Sequence, residues 1–338
     1  MAQAVAQAKT RVADPLLTVE GLRVQFVIER GPVRAVDGVD FDVNLGEAVG
    51  IVGESGSGKS MTALSILRLV PASGRIADGA IRFAGVDLLK LSNREMQAVR
   101  FSEIALIFQD PGSFLNPIMT ISDQILEAIG RRGSKEPADT ERVVAVLKAV
   151  QIPEPARVMN AYPHELSGGM QQRAMIASVL IRRPKLIIAD EPTTALDATV
   201  QYQILKLLGV LRAELNAALI LISHDLAVIA EVCDQVNIMY AGQLIESGGT
   251  AEIFDNPKHP YTKALIASIL DPWEVKLELA ALEGSPPDMT APPPGCRFHP
   301  RCPSAFEPCS SKAPPDFSFG GGHRAACWLY GPTPEDAS

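Results

Sequence analysis

The sequence predicts an α/β fold: a β-rich N-terminal piece, a core in which apolar strands alternate with helices, a helical insertion, and an irregular Cys- and Pro-rich C-terminal extension. Three observations carry this prediction. An apolar strand ending in Gly50-Ile51-Val52 runs through a glycine-rich loop into a helix-forming stretch, Met61 to Leu69. A second apolar strand, Lys185-Leu186-Ile187-Ile188-Ala189, ends in two adjacent carboxylates, Asp190 and Glu191. With 338 residues, 47% of them hydrophobic and 21% charged, the chain buries a full core and has the length for two or three packed units.

Residues 1–16 read as a tail. Met1 to Leu17 is rich in Ala and Gln, carries Lys9 and Arg11, and lacks the apolar centre of a signal peptide. Leu17 to Phe26 alternates as a first strand and Val33 to Val43 as a second, before Gly46-Glu47 turns the chain into the strand that precedes the glycine loop. Ile81-Arg82-Phe83 and Ile104 to Phe108 are further strands, with a polar, helix-like Ser92 to Arg100 between them. Gln109-Asp110-Pro111 ends the second of these, because the residue before a proline is pushed out of the helical region. Ile118 to Ile129 and Thr140 to Val150 have helical spacing on either side of a polar loop, which places a helical insertion at about residues 112–182. No apolar run approaches the roughly 18 residues of a spanning helix, so the chain is expected in the cytoplasm, docked on something embedded in the membrane. A formal net charge of -8 without a Lys/Arg block weighs against general affinity for nucleic acid.

Gly53-Glu54-Ser55-Gly56-Ser57-Gly58-Lys59-Ser60 sits between strand and helix, as a Walker A phosphate loop does. Its glycines let backbone amides turn inward around phosphates, Lys59 reaches the β/γ oxygens, and the Ser60 hydroxyl is a ligand for Mg²⁺. A nucleoside triphosphate is the first ligand to expect. In Leu166-Ser167-Gly168-Gly169-Met170-Gln171-Gln172-Arg173, Ser167 and two glycines stand where a helix begins, an end suited to an anion such as the γ-phosphate of a second nucleotide. At the end of the acidic strand Asp190 is the expected Mg²⁺ partner, and Glu191 the group that polarises the attacking water.

In these motifs the chain resembles an ATP-binding-cassette (ABC) ATPase, over roughly residues 17–260. The resemblance implies a RecA-like core with an N-terminal β-subdomain and a helical subdomain, using ATP and Mg²⁺. It makes Gln109 the Q-loop glutamine and a magnesium contact, Leu166 to Arg173 the signature, Asp190 and Glu191 the end of Walker B, Asp197 part of the D-loop, and His224 the switch histidine. The nucleotide-binding set it implies is Phe26, Val36, Gly53 to Met61, Gln109, Ser167, Gly168, Gly169, Gln171, Asp190 and Asp197, with Lys59, Gln109, Glu191 and His224 acting in catalysis. Phe26 stands where family members stack an aromatic on adenine, with Val36 beside it, but both residue types are equally at home in a core. Two such domains are expected to close head to tail around ATP, so a lone subunit is expected to work poorly.

Asn256-Pro257-Lys258-His259-Pro260-Tyr261-Thr262, Leu115-Asn116-Pro117 and the extension at 261–338 narrow the resemblance to ATPase subunits of bacterial dipeptide/oligopeptide and nickel importers. That implies a second, paralogous ATPase, two transmembrane permeases and an extracytoplasmic peptide-binding protein, with this chain peripheral on the cytoplasmic side of the inner membrane. Nickel or a nickel chelate is the alternative cargo. A soluble relative acting on nucleic acid or ribosomes fits worse, as the chain is acidic and has neither coiled-coil insertion nor second cassette. An inactive cassette fits worse too, as Glu191 and His224 are both present.

Cys233 falls in an apolar run and reads as a buried core thiol, whereas Cys296, Cys302, Cys309 and Cys327 gather in the extension. A reducing cytoplasm disfavours a disulfide, and four thiolates can hold a [4Fe–4S] cluster or Zn²⁺. The run from Gly295 to Pro303 with Cys327-Trp328 resembles the iron–sulfur extension of peptide-importer ATPases, which makes the cluster the expectation and zinc its competitor. His299 and His323 are alternative ligands or plain surface residues.

Overall fold

The computed structural model describes residues 14–29, 31–108, 110–193, 197–268 and 284–331, so that Gln109, Ala195 and Leu196 lie outside the described residues. Among the described residues twelve strands follow in chain order: β1 (Leu17–Ile28), β2 (Gly31–Val43), β3 (Ala48–Val52), β4 (Gly74–Phe83), β5 (Val86–Asp87), β6 (Ile104–Ile107), β7 (Leu186–Asp190), β8 (Ala218–Ser223), β9 (Gln235–Tyr240), β10 (Gln243–Gly249), β11 (Asp316–Gly320) and β12 (His323–Ala326). They form a four-stranded sheet, β2-β1-β4-β5, and an eight-stranded sheet, β11-β12-β10-β9-β3-β8-β7-β6.

The smaller sheet is antiparallel and buries one face. Leu17 and Val19 point into it, a register shift between Val19 and Leu22 changes the phase, and Leu22 and Val24 then point the same way. The central strands of the larger sheet read differently. β3, β6, β7 and β8 pair in parallel and are apolar almost throughout, because helices and the smaller sheet cover both of their faces. Val49, Ile51, Ile188 and Ile220 pack on the side of the β-subdomain, while Ala48, Val52, Ile187, Leu219 and Leu221 pack into the main core.

That main core also takes in the helical insertion. The Ile121–Glu127 helix, capped by Thr120, contributes Ile121 and Ile125; the Pro137–Ala149 helix contributes Val143 and Leu147; the Gly168–Leu180 helix contributes Met175 and Ile176. The helical subdomain is therefore bound to the nucleotide core by shared apolar burial and is not strung on it by a linker. This is a RecA-like core with an N-terminal β-subdomain and a helical subdomain. Among the described residues no helix is long and apolar enough to cross a membrane.

The extension is less irregular than its composition suggests. β11 and β12 form a hairpin that adds to the edge of the larger sheet, with Glu246 opposite Ala325 and Ser247 opposite Arg324. Upstream of the hairpin, Phe298 is 1% exposed and inserts among Tyr240, Tyr261 and His259, its ring centroid 5.2, 5.4 and 5.7 Å from theirs. Glu246, itself buried, accepts from the backbone N–H groups of Lys258 and His259 and lies 2.8 Å from His323 Nε2. His323 is thus a buried structural residue, neither a surface group nor a metal ligand.

Candidate functional site

The phosphate loop leaves β3 and enters the Lys59–Ile66 helix through two positions where a side chain has no room. A Cβ on Gly53 would come within 2.2 Å of the Met239 carbonyl oxygen. Gly58 holds φ +104 as the helix N-cap, and a Cβ there would meet the Ala35 carbonyl at 2.5 Å. No side chain caps this helix, so its first N–H groups face the loop and suit an anion. Ser57 Oγ is buried and has no hydrogen-bond partner among the described residues, a second polar group within the loop that accords with a phosphate ligand.

Lys59 is 6% exposed, and its ammonium donates to the carbonyls of Gly53 at 2.7 Å and Glu54 at 3.0 Å. Burial pulls its pKa down, while the carboxylates of Glu191, Asp190 and Glu54 push it up. Across the loop, Ser60 Oγ donates to Asp190 Oδ1 at 3.0 Å, joining the helix start to the end of β7. Burial raises the Asp190 pKa, with the neighbouring Glu191 charge adding to the rise and the Ser60 bond opposing it. A hydroxyl and a carboxylate so paired are the hard oxygen donors that Mg²⁺ prefers, and it usually takes few protein ligands alongside a nucleotide's phosphates.

Glu191 takes φ +45, a left-handed conformation that a non-glycine residue seldom adopts. Its N–H donates to the Ile222 carbonyl on β8 at 3.0 Å, which holds the turn in place. The turn brings Glu191 Oε2 to 3.4 Å from His224 Nδ1, just past the end of β8. Residues from the ends of three neighbouring parallel strands, β3, β7 and β8, thus meet in one place, where open parallel sheets bind ligands.

The remaining sequence-predicted residues are placed as follows. Ser167 caps the Gly168–Leu180 helix by accepting from Met170 N–H, and Ser167 and Gly168 are exposed while Gly169 is half-buried against Val200. Gln171 turns back to the carbonyls of Pro163 and Leu166. Its neighbour Gln172, which sequence reasoning passed over, is buried and donates to the Pro192 carbonyl at 2.6 Å, directly behind Glu191. Asp197 caps the Ala198–Leu215 helix through Val200 N–H. Phe26 is half-buried at the end of β1, Met61 is half-buried behind the loop, and Val36 is fully buried, which makes it a core residue of the β-subdomain.

The cysteine expectation is overturned. Cys296, Cys302, Cys309 and Cys327 lie near enough to feel one another's charge, and Cys296 N–H donates to the Cys309 carbonyl at 2.9 Å. Yet among the described residues no three His, Cys, Asp or Glu side chains form a group that could hold a metal ion. Neither the [4Fe–4S] cluster nor Zn²⁺ is supported at Cys296, Cys302, Cys309 and Cys327. The physical reason lies in their surroundings: Cys296 and Cys302 pack against the main apolar core, and burial raises the pKa of both thiols and pushes Cys327 up to about 11. All five cysteines are free thiols, with Cys233 buried and pushed up to about 12.

The ABC transporter family matches residues 36–194, and the family of oligopeptide/dipeptide transporter C-terminal regions matches residues 245–309. The dipeptide transport ATP-binding protein DppD of Bacillus subtilis (strain 168) is 45% identical over 319 residues, which span 94% of this chain and 95% of that one. The chain belongs to the ABC-transporter ATP-binding subunits of the oligopeptide/dipeptide type. The oligopeptide transport ATP-binding protein OppD of Escherichia coli (strain K12) is 46% identical over 317 residues, 94% of each protein. Among solved structures, the dimeric ATP-binding cassette MJ0796 bound to ADP and Pi superposes with a TM-score of 0.61 at 26% identity, covering 69% of this chain and 98% of that one. The cbiO1 structure from Clostridium perfringens gives a TM-score of 0.62 at 30% identity, covering 72% and 92%. Both cover only about 70% of this ABC subunit, whereas the peptide-transport relatives align over nearly all of it.

Proposed function

We infer that this subunit hydrolyses ATP to drive the import of dipeptides or oligopeptides through an ABC transporter, from the cytoplasmic face of the membrane. The observation that carries the chemical half is the convergence of Lys59, Ser60–Asp190 and Glu191–His224 at the ends of β3, β7 and β8. Alignment with peptide-transport ATP-binding proteins along almost the whole chain supports the peptide half.

In this reading the loop amides and Lys59 hold the phosphates of ATP, while Ser60 and Asp190 would hold Mg²⁺, which would supply charge neutralisation at the phosphates. Glu191 accepts a proton from water, and His224 keeps the carboxylate and the terminal phosphate in register. The exposed Ser167 and Gly168 at a helix start serve a second cassette's nucleotide, so turnover requires two cassettes facing each other. The partner is a paralogous ATPase. Two permeases and an extracytoplasmic peptide-binding protein complete the importer. A groove of about 310 Å³, lined by Leu69, Phe108, Phe114, Gln124 and Arg182, lies where the core meets the helical insertion and receives a permease's cytoplasmic loop.

The assembled complex in lipid vesicles should accumulate a short peptide only when both the binding protein and ATP are supplied. Accumulation of nickel chelates with every peptide ignored would overturn the cargo, and export of peptide would overturn import itself.

A further inference from the structure

The phosphate loop carries an acid of its own. The Glu54 backbone N–H donates to Tyr261 Oη at 3.0 Å, its carbonyl accepts from Lys59, and its carboxylate charge is felt at the Lys59 ammonium. A carboxylate in that position repels the phosphates that the loop exists to bind.

The extension answers this charge. Arg301, 247 residues further along the chain, reaches Glu54 with both ends of its guanidinium, Nη1 to Oε2 at 2.9 Å and Nη2 to Oε1 at 3.1 Å. The fork is pre-set: Nη1 also donates to Tyr240 Oη at 3.2 Å, and the guanidinium lies 5.8 and 6.0 Å from the ring centroids of Tyr240 and Phe298. Its side chain is 7% exposed and that of Glu54 24%, so solvent screens the pair only in part. Beside it Pro286, Pro287 and Met289 of the extension face Glu54, Ser55, Gly56 and Ser57 across a cavity of about 220 Å³.

We propose that Arg301 is a positioning residue for ATP binding: docked through Phe298, the extension supplies the cation that cancels the phosphate loop's carboxylate, and so couples its own docking to nucleotide affinity. The proposal rests on the phosphate-loop reading of residues 53–60. It assigns the extension a role in the nucleotide site although the extension lies outside the cassette.

The test is titration of the full-length chain with MgATP and MgADP. Arg301→Ala should weaken MgATP binding on the order of tenfold, and MgADP binding less, because the triphosphate carries more charge toward the uncancelled carboxylate. Arg301→Lys should keep most of the affinity. Adding Glu54→Gln to Arg301→Ala should restore MgATP affinity to within about threefold of the parent, a rescue that lost packing would not give. Glu54→Gln alone, with the extension intact, should bind MgATP at least as tightly as the parent. Parental affinity in Arg301→Ala, no rescue in the double variant, or weakened binding in Glu54→Gln alone would each overturn the proposal. Lys59→Ala separates the two readings. If it binds MgATP like the parent, the phosphate-loop reading fails; if it loses binding while Arg301→Ala does not, only the role of the extension fails.

Discussion

Phe298→Ala should detach the extension from the cassette. The ring is 1% exposed and meets Tyr240 and Tyr261 edge-on, at interplanar angles of 83° and 67°. Truncating a buried Phe to Ala costs about 3–5 kcal/mol, and aromatic edge contacts of this kind put the expected loss in the upper half of that range. The cost should fall locally first, because Phe298 holds the extension to Tyr240 and Tyr261, and the extension's own hairpin lies at the edge of the larger sheet and not at its centre. Denaturant unfolding of the parent and the variant gives the total loss. Hydrogen exchange then locates it: amides of β12 and of the Glu246–Ser247 pairing should lose protection, while those of β3, β7 and β8 keep it. A loss below about 1 kcal/mol, or unchanged protection across the β10–β12 pairing, would refute the argument that aromatic packing holds the extension.

Two further outcomes follow from the site and its surroundings. Gly53→Ala places a Cβ 2.2 Å from the Met239 carbonyl and 2.6 Å from Ser57 Oγ, so the loop must shift and MgATP affinity in a direct titration should fall by roughly tenfold or more; parental affinity would show that the loop tolerates a side chain there. Burial lowers the His259 pKa from 6.5 to about 3, so the unfolded chain takes up a proton as pH falls through about 6.5 while the folded chain does not. Stability from this group is complete above that pH and is lost on acidification by up to about 1.4 kcal/mol per pH unit. Urea unfolding at pH 7.5 and 5.0 should therefore show a larger acid loss in the parent than in His259→Asn, and equal losses would contradict it.

Much of the cassette was legible because its signals are local. The phosphate loop needs glycine at Gly53 and Gly58 for contacts within a few residues or with one adjacent strand, and strands as continuously apolar as Leu186–Ala189 have nowhere to go but the middle of a parallel sheet. The extension is poorly legible for the opposite reason. Its sequence carries too little apolar periodicity to build its own core, which suggested a metal to hold the four cysteines together. The missing stability comes from the cassette: β10 lends a sheet edge, Tyr240 and Tyr261 lend an aromatic pocket for Phe298, and Glu246 lends a buried partner for His323. None of these partners lies within 30 residues of what it holds, and no sequence window spans them. Gln171 and Gln172 show a finer limit, since adjacent glutamines on one helix turn in different directions and only packing decides which one reaches the Pro192 carbonyl. The strained φ of Glu191 is likewise accompanied by a bond to Ile222 on the neighbouring strand, a partner distant in sequence.

Glu191 is the residue on which the proposed mechanism turns, since proton acceptance by its carboxylate is the hydrolytic step proposed above. The most direct test is steady-state phosphate release by the assembled complex carrying Glu191→Gln, measured alongside MgATP binding. The side chain keeps its shape and loses its charge, so binding should stay close to the parent's while turnover drops on the order of 100-fold or more. Turnover at the parental rate with the glutamine in place would contradict the assignment.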